Sequence, residues 1–347
     1  MKLLILAFVF IATWTAQAQK GIQFIKTTNF NVAVNAAKQQ NKILFVEAYA
    51  PDCHVCAAFK GTFAQPQVGN LYNAQFVNFQ LDMNNPENFN LLKQMKININ
   101  ATPTFLFFDP KTMKVVQAKS FGEKENSVIN VNSIGQKASN PAEFAQNFAA
   151  KFKSGDRNPA FLLNYAQYAR IMGDTVTNVK VINEYAKILP TTAYFTQSTL
   201  NVLQTVMMNH DNVLFDYYVN HIPAYSRAFD ANLVRMIYEN VFQIVMTSSQ
   251  ANQLNASGIV KLKDQMKKAS IEPNSIVRRT WMVEATYLFK VKKANEALKV
   301  IQNLLDVLPN APGPKEYQFL CDFVKGKTKD KKALKFAQSN WCKYGLN

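Results

Sequence analysis

Two rhythms of apolar residues divide the chain. From position 20 to 154, short nearly continuous apolar runs alternate with stretches in which apolar residues return every three or four positions. The run KILFVEAYA at 42–50 is the clearest of the first kind. Its length and its β-branched and aromatic content predict a strand buried on both faces. Further strands are predicted at 21–27, 76–83, 104–108 and 115–121, the last two joined by an Asp-Pro turn into a hairpin. Helices are predicted at 29–40, at 53–63 and at 86–96, where Pro86 stands in the first turn and its missing N–H costs nothing. The polar, Asn- and Ser-rich segment 122–140 reads as a loop. A last helix over 141–153 then presents Phe144, Phe148 and Phe152 on one face.

After Gly155 only the helical rhythm remains. Breaks fall at Gly173-Asp174, Pro190, Pro223, Pro273, 309–314 and 325–329. Segments 163–189 and 281–308 share a plan of helix, tight turn, helix and terminal proline. Such units are similar to tetratricopeptide repeats of about 34 residues, so 155–347 is expected to be an all-α, solenoid-like domain. Helical spacing assigns Tyr217, Tyr218, Phe242, Trp281 and Tyr287 mostly to its core, and a protein partner on its surface is an open expectation.

The first 18 residues carry an address. Met1-Lys2 precedes a largely apolar run to Trp14, and Ala16-Gln17-Ala18 offers a small-residue cleavage site. This is the order of a secretory signal peptide, cut before Gln19. The alternative, a retained anchor, meets the difficulty that spanning a bilayer takes ~20 apolar residues. No later stretch is apolar enough to span. A periplasmic or secreted location is therefore expected.

Composition adds less. The 347 residues include 39 basic and 23 acidic side chains, a net charge of +16. That surplus suits either an anionic partner or simply a solvated basic surface. Outside 290–293 and 325–335 the lysines are scattered, and no basic stretch interleaved with aromatics marks a nucleic-acid reader.

Export changes how the four cysteines are read, because thiols in an oxidising compartment tend to pair or to do redox work. Cys53 and Cys56 lie three apart where a buried strand gives way to a helix. At a helix N-terminus, unpaired N–H groups and the macrodipole favour a thiolate at Cys53. Cys56, one turn in, would be the more buried partner. A zinc site lacks a second pair of suitably spaced ligands, and covalent haem attachment lacks a His at position 57. Cys321 and Cys342 have two open fates, a disulfide clamping the C-terminus or two buried thiols.

The runs FVEAYAPDCHVC (45–56) and ATPTFLFFD (101–109) resemble the thioredoxin superfamily over about residues 20–154. The resemblance implies an α/β thioredoxin fold, a central mixed sheet flanked by helices, over 19–154. It implies thiol–disulfide exchange with protein substrates and an unidentified redox partner, with the Cys53–Cys56 pair as the working group and no metal or organic cofactor. It further implies a cis peptide bond at Pro103, with Thr102 before it pairing to an extended substrate, and His54 and Val55 lining the same surface. Glu47 matches the buried acid of the family, usually Asp. Burial would raise its pKa and let it exchange a proton with Cys56; the alternative is an acid that simply meets solvent. The chain departs from the thioredoxin pattern in three places. The dipeptide between the cysteines is His54-Val55, Asp52 stands where Trp is common, and Asn78 is the nearest match for the lysine that often partners the acid. A protonated His54 would favour the Cys53 thiolate, or else it faces solvent without effect. The rival reading is a non-catalytic scaffold that keeps a vestigial thioredoxin unit.

Overall fold

The computed structural model describes residues 20–345, so the expected signal segment 1–18 lies outside the described residues. The first helix, α1 (Phe30–Gln40), starts at Asn29, whose side chain accepts from the Asn31 N–H, and stops at Asn41 in the left-handed region. Next come β1 (Ile43–Tyr49), α2 (His54–Phe63), α3 (Pro66–Gln75), β2 (Phe76–Asp82), α4 (Pro86–Gln94), β3 (Thr104–Phe108), β4 (Val115–Ser120) and α5 (Val128–Ser139). The strands form one mixed sheet in the order β2-β1-β3-β4, with β1 parallel to β2 and antiparallel to β3, and β3 antiparallel to β4.

Strand residues alternate between two apolar layers, as the period of two requires. Leu44, Val46, Phe79, Leu81, Leu106 and Phe108 face α1 and α4. Phe45, Phe105 and Phe107 face α2, α3 and α5, where they meet Phe59, Phe63, Tyr72 and Val131. Both faces are covered, which is why β1 and β3 read as unbroken apolar runs.

Four expectations need correction. Segment 21–27 is not a strand: it joins the sheet through a single bridge between Phe24 and Asn78. Helix α3 occupies a stretch assigned no element. The polar segment 122–140 contains α5, with Ser127 as its cap, and α5 is the helix that closes the aromatic layer. The helix expected at 141–153 is two 3₁₀ turns followed by the short α6 (Phe148–Lys153). Its Phe148 and Phe152 turn toward the next helix, meeting Tyr165 at centroid distances of 5.4 and 6.0 Å.

From 159 onward the described residues contain helices only. They run α7 (Pro159–Ile171), α8 (Thr175–Ile188), α9 (Gln197–Thr205), α10 (Val213–Asn220), α11 (Ile222–Ala228), α12 (Ala231–Thr247), α13 (Ala256–Lys268), α14 (Pro273–Lys290), α15 (Ala294–Asp306), α16 (Pro314–Lys327) and α17 (Lys331–Asn340). The pairs α7–α8 and α14–α15, the two segments with a shared plan, pack closely. The first of them turns at Gly173, whose φ of +70° suits glycine. Tyr218, Phe242 and Trp281 are buried, as their spacing implied, whereas Tyr217 and Tyr287 are only half-buried. Cys321 and Cys342 are bonded, with Cα atoms 5.0 Å apart, and tie the end of the chain to α16. No helix among the described residues is long and apolar enough to cross a membrane.

The helical part docks on the edge strand of the sheet. Helix α7 lies along β4: Tyr168 donates to the Val115 carbonyl at 2.9 Å and Gln167 donates to the Ser120 carbonyl at 2.8 Å. Ile171, Tyr168 and Met172 join the apolar layer on the α1 side. The open edge of β4 is thereby covered, which removes a site for unwanted strand pairing.

Candidate active site

The buried strand β1 ends at Tyr49, and a short turn later the chain enters α2. Cys53 is the N-cap of that helix, with extended backbone, and its sulfur accepts from the Cys56 N–H at 3.1 Å. The position usually filled by Ser, Thr, Asp or Asn is thus held by a nucleophilic sulfur. Both thiols are free, Cys53 half-buried and Cys56 buried.

The surroundings favour negative charge on Cys53. Hydrogen bonding from the Cys56 thiol is the strongest influence, joined by Thr102 and the backbone N–H groups of Cys56 and Val55, while partial burial works against them. Together they bring Cys53 down to about 5. The Cys56 thiol, which gives its proton to that hydrogen bond and is also desolvated, moves far up. The two cysteines are one coupled unit: an ionised outer sulfur beside a protonated inner one. When protonated, Cys53 donates to the Thr102 carbonyl at 3.3 Å.

Thr102-Pro103 is the cis peptide bond of the described residues. It directly precedes β3, which places Thr102 against Cys53 and buries Pro103. Val55 packs partly into the aromatic layer under α2.

Glu47 lies in the middle of β1, only 2% exposed. Its register partner is Gln80, which donates to the Glu47 carboxylate at 2.8 Å. Asn78, the expected counterpart, pairs instead with Phe45 and bonds Gln23 and Asn73. Burial pushes Glu47 up to about 7; the Gln80 hydrogen bond and Lys60 pull down, and Cys53 pushes further up. A neutral amide offsets burial less than an ammonium would, so the carboxyl remains able to exchange a proton near neutral pH.

A carboxyl whose pKa is higher folded than unfolded binds more protons in the folded state, so stability declines as pH rises between the two values. For Glu47 the window runs from about 4.5 to about 7. Over it, wild type should lose ~3 kcal/mol relative to Glu47→Gln, from 1.36 kcal/mol per unit. Urea unfolding of both proteins at pH 4.5 and 7.5 checks it; parallel pH curves would contradict it.

His54 is exposed, and its Nε2 meets a carboxylate oxygen of Glu123 at 3.0 Å. The groups that act most strongly on the Cys53 thiolate are Cys56, Thr102 and the local backbone. Asp52, exposed at the other side of Cys53, accepts from Asn84 at 3.0 Å. Glu123 and Gln80 were missed from the sequence. Gln80 was readable by matching the two seven-residue parallel strands, whereas Glu123 comes from a loop 69 residues away and leaves no local trace. Among the described residues no group of three or more His, Cys, Asp and Glu is placed to hold a metal.

Residues 25–110 match the model of a thioredoxin-like family, a span that includes β1, the cysteine pair and the Thr102-Pro103 loop. A search of curated proteins finds no match to the chain.

Proposed function

We propose, from a thioredoxin-like domain that carries a free dithiol, that the chain is an extracytoplasmic thiol–disulfide oxidoreductase acting on protein substrates. The observation that carries the reading is the Cys53 sulfur capping α2 opposite Thr102, with the acid Glu47 buried in the preceding strand. The Cys53 thiolate attacks one sulfur of a substrate disulfide, that S–S bond breaks, and a mixed disulfide forms. Cys56 then gives its proton to Glu47 and attacks Cys53. The two substrate sulfurs leave as thiolates that take protons from solvent, and the two electrons the substrate gained come from the cysteines, which end as a Cys53–Cys56 disulfide. Run backward, the same steps oxidise a substrate, and a separate redox partner resets the pair in either direction.

The leader-like pattern of residues 1–18 and the Cys321–Cys342 bond support an oxidising compartment. We read the helical part as tetratricopeptide-like, on the strength of the paired helices α7–α8 and α14–α15. Catalysis of insulin reduction by dithiothreitol tests the activity. Wild type should shorten the lag before insulin precipitates; a scaffold with a vestigial site would leave the lag unchanged.

A further inference from the structure

Arg170, in the last turn of α7, is 3% exposed. A buried cation is costly unless its charge or its donors are met. No carboxylate pairs with it among the described residues; its partners are neutral carbonyls. One Nη donates to the Met207 carbonyl at 3.0 Å. With the Asn100 amide oxygen turned toward it, Nε and the other Nη donate to that oxygen at 3.1 and 2.9 Å. Burial lowers the guanidinium to about 9, so it keeps its charge at neutral pH.

Asn100 stands two residues before Thr102. The same loop is held again at Asn98, whose N–H donates to the Ile171 carbonyl at 2.7 Å. The Asn98 side chain also lies over Gly173, where a Cβ would come within 2.7 Å of it. On the far side of the dithiol, Asn201 of α9 donates to the Glu123 carbonyl at 2.9 Å, and Glu123 carries the carboxylate that meets His54. The two segments that flank Cys53 are thus both tied to the helical part.

We propose that the helical part builds the substrate-facing rim of the dithiol, with Arg170 as the positioning residue that sets Thr102-Pro103 through Asn100. This rests on the oxidoreductase reading above. An extended protein substrate that pairs with the Thr102 backbone needs that loop fixed, while a small reagent needs only the sulfur. The buried charge is kept because a guanidinium spans Asn100 and Met207 at once with its fixed fork of donors.

The test uses the full chain and the variants Asn100→Ala and Arg170→Met, the first of which keeps the buried cation's other contact should the second not fold. Hydrogen exchange of the Ile97 and Asn98 amides, which donate to the Leu92 and Ile171 carbonyls, should speed up by about tenfold in the variants while α14–α17 stay protected. The KM for insulin should rise about tenfold with kcat nearly unchanged, and the rate toward oxidised glutathione, which feels the loop only through the Thr102 contact with Cys53, should fall by far less. Unchanged exchange in the loop, or equal losses toward insulin and glutathione, overturns the proposal. A wild type that never reduces insulin would instead end the oxidoreductase reading, and the exchange result would still decide what Arg170 holds.

Discussion

Cys53→Ser should bring the rate of insulin reduction to the uncatalysed background, a loss of ~10³-fold or more, because a hydroxyl at this position cannot ionise near neutral pH and attack a disulfide. The substitution is conservative in shape. Serine is itself a favoured N-cap, so the introduced hydroxyl would accept from the Cys56 N–H much as the sulfur does, and the helix should remain intact. The expected variant is therefore folded and inactive. Retained activity in Cys53→Ser would move the chemistry away from α2 altogether. Loss of helix content would make the sulfur a structural group.

The second large effect lies beneath that helix. Phe105 is fully buried in β3, with ring centroids 4.6 Å from Phe121, 5.0 Å from Phe45, 5.6 Å from Phe59 and 5.8 Å from Phe63. Phe59 and Phe63 belong to α2, so Phe105 is what the cysteine-bearing helix rests on. Phe105→Ala should cost about 3–5 kcal/mol, since aromatic neighbours pinned by strands on one side and a helix on the other can close only part of the cavity. The urea midpoint should fall by about 1 M or more. Phe89→Ala, at a half-exposed site on α4, should change it by far less. Equal effects at the two sites would mean that the aromatic layer is not the core of the first part.

How much of this was legible in the sequence follows from what each element depends on. β1, β3 and β4 announced themselves because both sheet faces are buried and local composition alone carries that signal. α3 and α5 did not. Helix α3 holds Gly69 in its interior, a poor helix residue, because the Lys20 carbonyl passes where a Cβ would stand. Helix α5 is rich in Asn and Ser, and its buried Val131, Ile134 and Ala138 are only one narrow stripe. Their spacing was readable, but overall polarity outweighed it.

The site divides in the same way. Cys53, Cys56, Glu47 and Thr102-Pro103 sit on or beside local patterns, and the structure brings Cys53, Cys56 and Thr102 together, with Glu47 buried in the preceding strand. Gln80 needed only the strand register. Glu123 and Arg170 depend on loops and helices far along the chain, and a buried arginine looks in sequence like any solvated one. What the sequence alone could not supply was the docking of α7 on the sheet edge and of Asn201 in α9 on the Glu123 carbonyl, which ties both residues to the segments flanking the dithiol.

The proposed chemistry stands on the ionised state of one sulfur. The pH dependence of Cys53 alkylation by iodoacetamide, followed by mass spectrometry on the reduced protein, measures it directly. A midpoint near 5, with the rate already level by pH 7, is the expected result. A midpoint near ~8.5, that of free cysteine, would contradict it.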